Sequence, residues 1–131
     1  FLVTTALMTA CGDMRKGAGM AETAIVAFHK QFNEQKLKEI YAAAHPDFKA
    51  ATTETDFLAL LEAMQRKLGK HLRDTGAGWM INSMNGKTSV KLTKESVFEQ
   101  GKGTETFTYA VSGESCTLQG YDIHSREMMV K

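Results

Sequence analysis

His29, His45, His71 and His124 are the side chains best suited to move a proton near neutral pH, and no two of them are spaced as a ligand pair on one element. His29 follows Phe28 and falls at the edge of the apolar face of a helix, where a solvated or hydrogen-bonded imidazole is the expectation. Asp122 and His124 alternate along a strand and so share a face. Such a pair on an exposed face is normally solvated. The two cysteines, Cys11 and Cys116, lie too far apart and lack the neighbouring histidines of a zinc motif. Gly101-Lys102-Gly103 is a turn and not a phosphate cradle, because no strand–glycine–helix context surrounds it.

Three helices are predicted to position these groups. Ile25, Phe28 and Phe32 recur at helical steps within 21–35, and Leu37, Ile40 and Tyr41 line a shorter helix over 36–44. His45-Pro46 ends that helix, since the residue before proline is pushed from helical angles. Thr53 caps a third, whose face of Phe57, Leu61, Met64 and Leu68 runs to a stop at Gly69. Four strands then follow, over 77–84, 87–98, 104–111 and 115–125. Asn85-Gly86 makes the first hairpin. Gly120 breaks the alternation of the last strand, and a bulge there would return Cys116, Leu118, Tyr121 and Ile123 to one face. The class is therefore α+β, with three N-terminal helices packed on an antiparallel four-stranded sheet.

On this assignment the inward positions are Trp79, Ile81, Val90, Leu92, Phe107, Tyr109, Val111, Leu118, Tyr121 and Ile123. They include no acid and no histidine, so a general acid–base mechanism lacks its base, and no catalytic residue, cofactor or metal is expected. Phe28, Tyr41, Trp79, Tyr109 and Tyr121 are the candidates for an apolar ligand pocket with a few polar handles.

Length allows one domain, and a hydrophobic content of 43% suffices for a core. A net charge of +1 with both signs mixed along the chain speaks against a nucleic-acid partner. The opening residues are the most distinctive. An apolar run over 1–10 ends in Met8-Thr9-Ala10 before Cys11, and a glycine-rich stretch follows over 12–20. Ten residues are too few to span a bilayer, which needs about 20, but they suit the core of a secretion signal. The run resembles the export signal and lipobox of a bacterial lipoprotein. That resemblance implies cleavage before Cys11, lipid on its thiol and attachment to the membrane. It divides the chain into a partial signal (1–10), a flexible tether (11–20), a domain (21–125) and a tail (126–131). Cys116 would then be a buried free thiol, a disulfide to Cys11 being the rival.

From about Ala24 to Ser125 the chain also resembles small bacterial lipoprotein or secreted domains of the cystatin-like, nuclear transport factor 2-like fold group. The residues that carry the resemblance are Phe28 and Asn33, Ile40-Tyr41, Asp47-Phe48, Phe57 and Lys67-Leu68-Gly69. In the sheet they are Phe98-Glu99, Gly101, Glu105, Phe107 and Leu118-x-Gly120-Tyr121-x-Ile123-x-Ser125. The resemblance implies a cone-shaped fold and carries no functional residue with it. The expected function is a non-enzymatic cell-envelope lipoprotein of the periplasm or cell surface, working as a homodimer or by contact with an envelope protein. The alternative is a carrier of a small apolar ligand.

Overall fold

The computed structural model describes residues 2–129, with side chains from residue 16. The long first helix, α1 (Leu2–Asn33), buries a stripe of Ala21, Ile25, Phe28 and Phe32. The stretch over 12–20, expected as a tether, is helical and continuous with it. Glycine costs a helix about 1 kcal/mol, and α1 here runs close to the sheet: a Cβ at Gly17 would sit in ordinary contact, 3.6 Å from Val90 Cγ2. Two short helices follow, α2 (Leu37–Ala42) and α3 (Pro46–Ala51). The sequence reading stopped at His45-Pro46, whereas the structure starts a new helix there. Proline suits the first helical position, and His45 Nδ1 accepts the Asp47 N–H at 3.0 Å. In α4 (Glu54–Lys67) the expected cap holds, Thr53 Oγ1 accepting from Asp56 N at 3.1 Å. Gly69 ends the turn at φ +79°, with its N–H directed to the Met64 and Gln65 carbonyls. The expected tail contains one more turn, α5 (Arg126–Met129). Among the described residues, five helices thus stand where three are predicted.

The strands β1 (His71–Met84), β2 (Lys87–Phe98), β3 (Gly101–Ser112) and β4 (Ser115–His124) form an open antiparallel sheet in the order β1-β2-β3-β4. Asn85 and Gly86 both have positive φ, 54° and 75°, as a two-residue hairpin of matching twist requires. The bulge is also present: Thr108 faces Gly120 while Tyr109 faces Leu118, leaving Gln119 as the extra residue. β1 begins six residues earlier than the apolar pattern suggests, because Asn33 takes both the N–H and the C=O of His71.

The helices pack on one face of the sheet, where Phe32, Phe57, Leu61, Met64, Leu68 and Phe107 are fully buried. Each such side chain contributes about 1.5–3 kcal/mol by leaving water. The buried parity of β2 runs Val90, Leu92, Lys94, Ser96, Phe98, and that of β3 runs Gly103, Glu105, Phe107, Tyr109. Strict alternation therefore carries a lysine, a serine and a glutamate into the interior. Among the described residues no helix is long and apolar enough to cross a membrane.

Candidate functional site

Glu105 is 0% exposed and accepts three hydrogen bonds. Its Oε1 receives His29 Nε2 at 2.8 Å and Ser96 Oγ at 2.5 Å, while the Tyr121 hydroxyl donates to Oε2. Four elements build this arrangement, β4 giving Tyr121. β3 supplies Glu105 on the face of Phe107, β2 supplies Ser96, and α1 supplies His29 one turn after Ile25. The start of β1 adds His71 and Asp74. The His71 ring lies flat on His29, with centroids 3.4 Å apart and planes within 4°. Asp74 Oδ2 sits 3.5 Å from His29 Nδ1 and 3.1 Å from His71 Nε2. The latter contact is not aligned for a hydrogen bond, so His71 Nε2 is buried without a partner. Lys94, itself buried, reaches Glu22 at 2.6 Å and Asp74 at 3.9 Å. Edges of Phe107 and Phe98 close the two imidazoles from the apolar side.

These contacts decide the protonation states. Burial opposes ionisation of Glu105, but the hydrogen bond and charge of His29, with help from Ser96 and Tyr121, hold its carboxyl below the usual range. Burial, then the neighbouring His29, lowers the His71 pKa against the pull of Glu105 and Asp74. His71 is therefore neutral at pH 7. Burial and the Glu105 charge push the Tyr121 phenol well up, so it remains a donor.

The expectation that the inward face holds no acid and no histidine is overturned. Of the two alternatives for His29, the structure has the hydrogen-bonded one: it is only 5% exposed and bonds Glu105. The argument that an acid–base mechanism lacks its base loses its premise. Parity could have shown this, since Glu105 lies two residues before Phe107 and Ser96 four after Leu92. The pairing of His29 with His71 has no signal in spacing, because the two lie on different elements.

None of the five residues proposed for a ligand pocket lines the main grooves found among the described residues. Phe28, Phe107 and Tyr121 pack on one another, with Phe28 and Tyr121 stacked at 4.9 Å. Tyr41 donates to the Thr52 carbonyl at 2.7 Å and tilts against Phe48 and Phe57. Tyr109 is buried beside Phe107. Trp79 faces Leu92 across the sheet, yet it is 67% exposed, because it lies on an edge strand that nothing covers there among the described residues. A groove of about 550 Å³ does open elsewhere, between α1 at Gly17 and Met20 and the sheet at Ile81, Val90 and Val111. Asp122 and His124 meet at 2.9 Å on the surface, both exposed, as a solvated pair should. Cys116 is a free thiol and only half-buried, and burial raises its pKa. The side chain of Cys11, the expected site of lipid attachment, lies outside the described residues.

The sheet has two edges of different character. On β4 the outer side is met by the helical layer: His45 N donates to the Leu118 carbonyl at 2.8 Å, and Gln119 bonds Asp47. On β1 the only such contact described is Asn33 at His71. From Thr75 to Gly86 the strand and its turn carry no charged residue, and Trp79, Met80 and Met84 stand exposed along it. No family model and no curated protein matches the chain.

Proposed function

We propose that this protein is a lipid-anchored, non-enzymatic domain of the bacterial cell envelope that works by pairing with a second copy of itself along β1. The observation that carries the pairing is the bare, uncharged outer edge of that strand. Proteins normally protect an exposed edge with lysine, proline or a covering element. Here twelve consecutive residues lack any charge while apolar side chains stand on both faces. A second β1 is the partner that suits it. Antiparallel pairing across a two-fold axis satisfies both rows of backbone groups at once, and an uncharged strand meets its own copy without repulsion.

The anchor rests on the apolar run before Cys11, whose small residues at Thr9 and Ala10 suit a lipobox. Helices on one face of a four-stranded antiparallel sheet, with a bulge in β4, support membership of the cystatin-like, nuclear transport factor 2-like cone group. Against turnover stands the burial of the His29–Glu105 pair itself, at 5% and 0% exposure, although a groove lined by Asp74 and Ser96 opens beside it. Sedimentation equilibrium of the unlipidated chain should give a concentration-dependent dimer. Met80→Lys, at a side chain 61% exposed, should weaken it at least about tenfold, or 1.4 kcal/mol, without changing thermal stability. A strictly monomeric protein at high concentration removes the pairing reading. The carrier alternative is favoured by the apolar groove beside Met20, Ile81 and Val111. An apolar ligand retained in native mass spectrometry would point to it.

A further inference from the structure

We propose that His29, His71 and Glu105 form a binding site for one divalent transition-metal ion of the zinc class. One ligand atom from each lies within 4.8 Å of the others. Two imidazoles and a carboxylate are the donor set such ions prefer. A second, independent observation points to a ligand: His71 Nε2 has no hydrogen-bond partner, although its side chain is only 9% exposed. Buried polar atoms are nearly always satisfied, whereas this nitrogen has only the poorly aligned Asp74 carboxylate at 3.1 Å, which leaves its lone pair open to an ion.

Charge gives the same answer. The carboxylates of Glu22 and Asp74 face the ammonium of Lys94, and that of Glu105 faces His29. With both histidines neutral, as metal ligands must be, the cluster is two positive charges short of balance. One divalent ion supplies them.

The geometry states what must move. A tetrahedral ion with bonds of about 2.1 Å holds its ligand atoms roughly 3.4 Å apart. The ligand atoms lie within 4.8 Å of one another, and the two rings stack with planes that differ by only 4°. Their lone pairs therefore run side by side, and one ring must tilt for both to meet the ion. His71 is free to do so, since its Nε2 has no hydrogen bond to break. His29 exchanges its bond to Glu105 Oε1 for the ion, while Ser96 and Tyr121 keep the carboxylate oriented. This outer support is the kind that fixes metal-binding carboxylates. Entry is by Asp74, which is partly exposed and, with Ser96, lines a surface groove of about 460 Å³.

The test is calorimetric titration of chelator-stripped full-length protein with Zn²⁺, followed by Co²⁺ substitution. One equivalent should bind with release of protons and raise the thermal midpoint, and cobalt should show the visible bands of a four-coordinate site. His71→Gln should weaken binding by about 100-fold or more, as loss of a ligand must at least match loss of an outer-shell partner. Circular dichroism checks that this variant remains folded. If His71→Gln does not fold, His29→Gln and Glu105→Gln serve instead. His124→Gln and Cys116→Ser, remote from the cluster, should leave binding unchanged. No stoichiometric binding, equal affinity in the ligand variants, or loss of binding in His124→Gln or Cys116→Ser would overturn the proposal.

Discussion

Glu105 shows how one side chain can be both the most costly and the most constrained in a small protein. An ionised carboxylate inside a protein is tolerated only when its oxygens are bonded, and His29, Ser96 and Tyr121 meet that demand. Removing one member of a buried ion pair strands the other, at about 3–5 kcal/mol. Glu105→Gln, which keeps the shape, should therefore cost about 3 kcal/mol, read as a lower urea midpoint at an unchanged slope. The residue was legible in principle. It shares parity with Phe107 and Tyr109, although charged side chains are rarely found fully buried. His29 was legible in the same sense, one turn from Ile25. Nothing in one dimension announces that its ring stacks on His71, because that depends on how α1 lies over the start of β1.

Among the elements, those fixed by local chemistry follow the sequence most closely. Asn85-Gly86, the Thr53 cap, the Gly69 stop and the bulge at Gln119 each need particular backbone angles or donors that particular residues provide. The elements set by distant contacts do not. α1 continues through its glycines and lies against Val90 and Val111 at Gly17, and β1 begins early because Asn33 holds His71. α3 was missed for a different reason, since a proline that closes one helix can open the next. The Asn33 amide is the clasp between the end of α1 and the sheet. Asn33→Ala leaves two backbone groups of His71 unpaired, and the variant should lose about 2 kcal/mol. Hydrogen exchange should locate the loss, with faster exchange at the His71 and Arg73 amides and little change in β3.

At the scale of the whole molecule, the chain's two ends of argument are the thiol at Cys11 and the outer side of β1. Cys11→Ser should abolish labelling by radioactive palmitate and leave the leader uncleaved, while the domain folds as before; equal labelling of the variant would remove the anchor. The contrast between the sheet's edges sets a limit on growth. His45 and Asp47 lie across β4, and Gln119 bulges out of its line. Two molecules joined through β1 therefore present only obstructed strands to a third. Fibre formation needs a docking strand on both flanks, and this fold offers one, so association along it terminates at a closed pair.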